Sequence, residues 1–149
     1  MSPSDISATN LQWLAGILEG EGYFGMRVSS QQGRSDMPRI TLHMTDLDIV
    51  QKAALLLGSK VRSYKQDNPK YKEMHETNVF GHRALAWMRV LEPHMGQRRK
   101  ERIRAILTKG YNPVSPSEKV ARAVRVRKAH HYSQLNELNG SLFEQRTEV

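Results

Sequence analysis

Hydrophobic and polar positions follow a helical period at the start of the chain and then change to the two-residue period of a strand. The stretch LQWLAGILEGE places Leu11, Leu14 and Leu18 on one side of a helix that begins near Thr9 or Asn10. The stretches YFGMRVSS and RITLHMT then alternate, with one apolar face and one polar, partly basic face. This pattern predicts a helix followed by a hairpin that buries one face.

A second helix and hairpin follow, with different sequences. TDLDIVQKAALLLG predicts a helix that opens at Thr45, has Asp48 three residues later and closes at Gly58. KVRSYK and YKEMHETNVF predict two strands, and HRALAWMRVLEPHMG and QRRKERIRAILTKG predict two helices. The elements therefore run helix, strand, strand, helix, strand, strand, helix, helix, which predicts an α+β fold.

The composition changes after Gly110. Ser115, Pro116 and Glu118 form a helix-start signal, and a basic segment follows it. We therefore expect two parts, a domain over residues 1–110 and a basic helical extension over residues 111–149.

The net charge of +8 is concentrated in one region. Residues 97–128 contain eleven lysines and arginines and two glutamates, so the rest of the chain is nearly neutral. Clustered basic charge is typical of proteins that neutralise phosphates, although a solvated helical face carries the same pattern.

Composition also excludes several classes of protein. The chain has no cysteine, which excludes disulfides, thiolate metal sites, a cysteine nucleophile and cysteine-dependent intein splicing. The N-terminus lacks a signal-peptide pattern and no apolar stretch is long enough to span a bilayer, so we expect a soluble protein that is not secreted and no membrane partner.

The segment LAGILEGEG combines features that are unfavourable in an isolated helix. Glycine costs roughly 1 kcal/mol relative to alanine inside a helix, and an acid near the negative C-terminus is also unfavourable. Gly16 and Gly20 lie four residues apart on one face, where they can pack closely against their own sheet or against a second helix. Glu21 is either an exposed acid or a ligand for a cation such as Mg²⁺, whereas Glu19, on another face, has a local structural role or lies at the seam.

This segment resembles the LAGLIDADG motif of the homing endonucleases. Leu14, Ala15, Gly16 and Gly22 match it directly, and Glu19 and Glu21 occupy its two acidic positions, with Glu in place of the final Asp. The order of elements over residues 11–110 agrees with that family, as does EPHMGQRR before a helix. The resemblance implies an αββαββα(α) fold with a saddle-shaped antiparallel sheet whose polar face lies in the DNA major groove.

The resemblance also implies an activity and its residues. The protein would be a metal-dependent endonuclease that cuts double-stranded DNA at a long pseudo-palindromic site, in a DNA-containing compartment such as the cytoplasm, and serves intron mobility. Mg²⁺ or Mn²⁺ would bind at Glu21 and Gly20, and the catalytic residues would be Glu21 with a basic or polar residue among Gln97, Arg98 and Arg99. Because the chain has one motif and no repeat, the active form would be a homodimer. Its interface would contain Leu14, Gly16, Ile17 and Gly20.

The residues that alternate away from the apolar face are the candidates for reading DNA. Arginine suits guanine, asparagine suits adenine, and serine and threonine suit either base. The predicted DNA-binding residues are Arg27, Ser29, Arg39, Thr41, His43, Arg62, Tyr64, Glu76, Asn78 and Lys100.

Two other functions remain open at this point. The same scaffold could bind nucleic acid without cleaving it, as an RNA maturase or a transcription regulator. Alternatively, the chain could be a basic RNA-binding module that acts through its C-terminal helix.

Overall fold

The computed structural model describes residues 2–28 and 35–113, together with residues 118, 121, 124–130 and 133. The chain divides into two compact units, Met1–Ser30 with Ser35–Asn112, and Gln31–Arg34 with Pro113–Val149. In the second unit, residues 124–130 are helical. The helix start predicted at Ser115 and Pro116 lies outside the described residues, and the domain boundary at residue 110 stays a prediction.

The described part of the first unit contains four α-helices and four strands in the predicted order. They are α1 (Ala8–Glu21), β1 (Gly22–Arg27), β2 (Met37–Met44), α2 (Leu47–Leu57), β3 (Val61–Tyr64), β4 (Met74–Phe80), α3 (Gly81–Leu91) and α4 (Gln97–Lys109). Short 3-10 turns lie at Pro3–Asp5 and Glu92–His94. The α+β fold with the order αββαββαα is confirmed.

The strands form one antiparallel sheet in the order β1-β2-β4-β3. Phe24 pairs with Ile40, and Ile40 pairs with Val79, so one face of the sheet carries a continuous apolar row. The helices cover this face and contribute Leu18, Trp87 and other side chains to a single core. Because side chains alternate along a strand, most polar residues of the same strands lie on the opposite face, whereas His75 and Thr77 of β4 are buried on the covered face.

Element boundaries differ from the prediction at several places, among them the starts of α1, α2 and β2. Ser7 caps α1, accepting a hydrogen bond from the Asn10 N–H at 3.3 Å, and Asp46 rather than Thr45 precedes α2. Each predicted cap has a neighbour that can serve equally well, so sequence alone does not choose between them. β2 begins earlier than predicted and includes Pro38, which pairs with β1 but not with β4, so its missing N–H breaks no bond to the inner neighbour.

Gly58 ends α2 as predicted. Its φ of 64° is left-handed, and its N–H donates to the carbonyls of Ala54 and Leu55. Among the described residues, no helix is long and apolar enough to cross a membrane.

Candidate metal site and nucleic-acid interface

Glu21 is the last residue of α1, and the chain enters β1 directly after it. At Gly22 a Cβ atom would lie 2.6 Å from the Leu18 carbonyl oxygen, so glycine is required for this immediate turn. The Glu21 side chain is exposed at the junction, at the end of a helix dipole that is already negative. This position suits a carboxylate that meets a cation.

Glu19 connects α1 to the start of α4. Its Oε2 accepts a hydrogen bond from the Gly96 N–H at 3.0 Å, and Gly96 is the residue that precedes α4. A negative carboxylate at a helix N-terminus is favourable because unsatisfied N–H groups and the helix dipole are positive there. Glu19 therefore has a structural contact within its own chain, with a residue 77 positions away in the sequence.

Arg99 binds the main chain on both sides of Glu21. Its Nε donates to the Glu19 carbonyl at 2.7 Å and its Nη1 donates to the Gly22 carbonyl at 2.6 Å. The guanidinium also lies over the Phe24 ring, and only 14% of the Arg99 side chain is exposed. Arg99 therefore acts as a positioning residue that holds the α1–β1 junction from α4.

The other predicted catalytic candidates differ in whether their side chains are exposed and bonded to other residues of the protein. Gln97 donates from Nε2 to the Glu101 Oε1 at 2.8 Å. Arg98 is exposed and forms no hydrogen bond or ion pair with the described part of the chain. Lys100 is half-buried in the first turn of α4. Arg98 is thus the candidate whose guanidinium is available to a ligand.

A shallow pocket of about 300 Å³ lies between β1 and α4. Three arginines contribute to its lining, together with two aromatic rings, and Arg102 additionally donates to the Phe24 carbonyl at 3.2 Å. Guanidinium groups bind phosphate oxygens with well-defined geometry. The lining residues are Tyr23, Phe24, Arg98, Arg99 and Arg102.

Eight of the ten predicted DNA-binding residues share the polar face of the sheet, whereas Lys100 lies on α4 and not on a strand. In the register, Thr41 pairs with Asn78, and Glu76 pairs with both His43 and Arg62. Ser29 lies outside the described residues. We define the polar face as Arg27, Arg39, Thr41, His43, Arg62, Tyr64, Glu76 and Asn78 together with Tyr23 and Phe80.

Tyr23 and Phe80 were missing from the predicted set. The Arg39 guanidinium lies 5.1 Å from the Tyr23 ring centroid, and Arg27 lies 5.8 Å from that of Phe80. Tyr23 reaches over Gly25, where a Cβ atom would collide with its ring. The two-residue alternation that selected Arg27 also includes Tyr23, so the sequence contained this signal.

His43 and Tyr64 form a further pair on the same face. Their rings are stacked with centroids 5.7 Å apart and an interplanar angle of 11°. The Tyr64 hydroxyl also forms a hydrogen bond with His43 Nε2. This contact links β2 to the edge strand β3 across the polar face.

The four predicted interface residues on α1 have different surroundings. Gly16 and Gly20 are exposed, and a Cβ atom at either position would meet nothing within 4 Å. Packing against their own sheet is therefore not the reason for these glycines. Ile17 is half-buried, whereas Leu14 is fully buried in the core of its own chain. Leu14 has no surface for a partner, which corrects its assignment to the interface.

The described residues contain no group of three or more histidine, aspartate or glutamate side chains that could hold a metal ion. Near the end of α1, the Leu18 carbonyl accepts from Gly22 and the Glu19 carbonyl accepts from Arg99. The Gly20 carbonyl is in the last helical turn, where intrahelical donors run out. One carboxylate and one such carbonyl fit Mg²⁺ when phosphate and water supply the remaining oxygens.

Solved structures with the same fold are homing endonucleases. I-CvuI in complex with its target in the presence of Ca is 20% identical, with a TM-score of 0.55 over 67% of this chain and 64% of that chain. I-CvuI with the I-CreI target and Mg gives a TM-score of 0.53, at 20% identity over the same shares of the two chains. The group I intron-encoded endonuclease I-CeuI, complexed with DNA, is 12% identical, with a TM-score of 0.50 over 67% of this chain and 53% of that chain.

No family model and no curated protein sequence matches the chain. The chain matches less than two thirds of the I-CvuI chain. The protein has the homing-endonuclease fold, and the resemblance seen in the LAGILEGEG motif is confirmed at the level of that fold.

Proposed function

We propose that this protein is a homodimeric, metal-dependent endonuclease that cuts double-stranded DNA at a specific site. The observation that carries the proposal is the exposed Glu21 carboxylate at the α1–β1 junction. Arg99 binds the main chain on both sides of this residue, and Tyr23 and Phe24, which follow it closely in the sequence, line the arginine-rich pocket. The solved structures that share the fold are named homing endonucleases and contain DNA. An acid beside a phosphate-binding surface is what metal-assisted phosphodiester hydrolysis requires.

The polar face of the sheet is the proposed DNA-reading surface. It carries three arginines, an asparagine and a threonine, which are side chains suited to base edges in the major groove. Several are held by stacking or hydrogen bonds to residues of another strand, so they lose little conformational freedom on binding. Sequence-specific recognition is consistent with such a preorganised surface.

The proposed homodimer follows from the number of catalytic carboxylates and from the exposed glycines. Each chain has one motif and one Glu21, whereas cleavage of both strands involves two scissile phosphates. Two chains related by a two-fold axis would pack their α1 helices against each other at Gly16 and Gly20, which would place both Glu21 carboxylates near one another. The target would then be a pseudo-palindrome, because a symmetric dimer reads symmetric half-sites.

In the proposed mechanism, Glu21 and the Gly20 carbonyl would hold Mg²⁺ or Mn²⁺. When bound, the cation supplies charge stabilisation and an activated water for phosphodiester hydrolysis. Arg98 contacts the phosphate, where its charge stabilises the additional negative charge of the transition state. Arg99 fixes the main chain that carries Glu21.

The decisive experiment compares wild type with Glu21→Gln. Cleavage of a plasmid library carrying candidate target sites is measured with Mg²⁺, with and without chelator, and DNA binding is measured separately. We expect Glu21→Gln to bind DNA and to lose cleavage by about a hundredfold or more, because it keeps the shape and removes the charge that holds the cation.

Asp48→Asn is the matched control, because it makes the same carboxylate-to-amide change on α2, which packs on the covered face of the sheet. Its cleavage should equal that of wild type. Undiminished cleavage by Glu21→Gln would remove Glu21 from the mechanism, and DNA binding without cleavage by wild type would favour the non-cleaving alternative.

A further inference from the structure

Three side chains at the centre of the polar face form a continuous hydrogen-bonded chain. Thr41 Oγ1 on β2 donates to Asn78 Oδ1 on β4 at 2.5 Å, and Asn78 Nδ2 donates to Glu76 Oε1. β2 and β4 are the two inner strands of the sheet, and all three residues are half-buried. Their positions are therefore fixed by strands that are paired with a neighbouring strand on both sides.

The chemistry of Glu76 determines which way the Asn78 amide points. An ionised carboxylate only accepts hydrogen bonds, so the amide nitrogen has to face Glu76. The amide oxygen then faces the Thr41 hydroxyl, which can donate to it. In the opposite orientation, the amide oxygen would lie against a carboxylate oxygen and the hydrogen bond to Glu76 would be lost.

Among the described residues, this arrangement leaves Asn78 with one unused N–H and one unused lone pair on Oδ1. An asparagine amide has two donors and two acceptor sites, and the hydrogen bonds to Thr41 and Glu76 use one of each. Adenine presents an acceptor, N7, beside a donor, N6–H₂, in the major groove, which complements the amide. Guanine presents two acceptors, cytosine presents a donor, and thymine presents an acceptor beside a methyl group.

We propose that Asn78 reads an adenine in each half-site, and that Thr41 and Glu76 set this specificity by fixing the amide orientation. The inference rests on the proposed function, because it requires DNA on the polar face. In a symmetric dimer the two adenines would occupy equivalent positions, one on each strand. Thr41 and Glu76 act through Asn78 and are positioning residues.

The test is selection of bound sequences from randomised duplexes in the presence of Ca²⁺, using the full chain. Wild type should enrich an adenine at one position of each half-site. Asn78→Ala should lose the preference at that position and keep the others. Changing this adenine in the best duplex should weaken wild-type binding about ten- to hundredfold and weaken Asn78→Ala binding much less.

Two further variants separate orientation from simple contact. Glu76→Gln can donate as well as accept, so it lets the Asn78 amide turn over. Thr41→Val keeps the shape and removes the hydroxyl that holds Asn78 Oδ1, so it lets the amide move away from the base edge without reversing it. Both should broaden the base preference at the Asn78 position while leaving the other positions unchanged. Thr108→Val, which makes the same threonine-to-valine change near the end of α4 and outside the sheet, is the matched control and should leave the preference for adenine intact.

The outcomes distinguish a failure of the proposed function from a failure of the inference about Asn78. If wild type enriches no sequence, the proposed sequence-specific function fails and the inference fails with it. If wild type enriches a motif but Asn78→Ala leaves every position unchanged, or alters a position that prefers another base, only the inference is overturned. Should Asn78→Ala fail to fold, unchanged adenine preference in both Thr41→Val and Glu76→Gln would refute the orienting role.

Discussion

Replacing both exposed glycines of α1 by alanine should stabilise the single chain and weaken its self-association. Neither Gly16 nor Gly20 has a positive φ, and a Cβ atom at either position meets nothing within 4 Å. Alanine is favoured over glycine in a helix interior by about 1 kcal/mol, so the two changes together should add about 2 kcal/mol to the free energy of unfolding of the monomer.

The same methyl groups should oppose dimerisation. In the proposed dimer, two α1 helices approach along Gly16 and Gly20, and four added methyl groups would push the helices apart. Packed helices are usually 8–10 Å apart, and small residues are what allow a closer approach. Self-association should therefore weaken by tenfold or more even though the individual chain becomes more stable.

Two measurements check this opposite pair of effects. Urea unfolding is followed at a protein concentration low enough for the monomer to predominate, because dimerisation itself raises apparent stability. Sedimentation velocity over a concentration series, with and without a target duplex, measures self-association. Gly22→Ala is the control, since its Cβ atom would lie 2.6 Å from the Leu18 carbonyl oxygen and should destabilise the monomer by about 1–3 kcal/mol.

Two results would refute the reasoning. Loss of monomer stability in the double alanine variant would mean that the glycines serve their own chain after all. Unchanged dimerisation in a more stable variant would place the dimer interface on another surface of the protein.

Two further predictions concern the arginine that holds the junction and the basic extension. Arg99→Met removes two hydrogen bonds from a charged donor and should lower the free energy of unfolding by about 2–4 kcal/mol, as measured by urea unfolding. It should also reduce the cleavage rate more than the DNA affinity, as measured by single-turnover cleavage and by binding assays. An equal loss of rate and affinity would count against the positioning of Glu21 by Arg99. Truncation after Gly110 should weaken DNA binding about equally for all sequences and reduce the salt dependence of the DNA affinity. If a folded truncated protein has an unchanged salt dependence, the extension has a role other than phosphate contact.

The amino-acid sequence by itself determined the order of the elements and the two faces of the sheet. The change between helical and two-residue periods located α1, β1 and the elements after them, and Gly58 supplied the left-handed residue that ends α2. Alternation also predicted that Arg27, Thr41 and Asn78 would share one face, because successive side chains of a strand point to opposite sides. Such information is local, so it is available before the chain folds.

Only the tertiary structure decided which of these residues meet. Thr41 contacts Asn78 because β2 and β4 are neighbours at the centre of the sheet, and this pairing joins residues 37 positions apart. The consecutive residues Arg98 and Arg99 have the same chemistry, but the packing of α4 against β1 directs Arg99 to two main-chain carbonyls and leaves Arg98 exposed. Likewise Leu14 and Gly16 belong to one motif, yet the core covers the first and leaves the second open, because burial depends on what other elements supply.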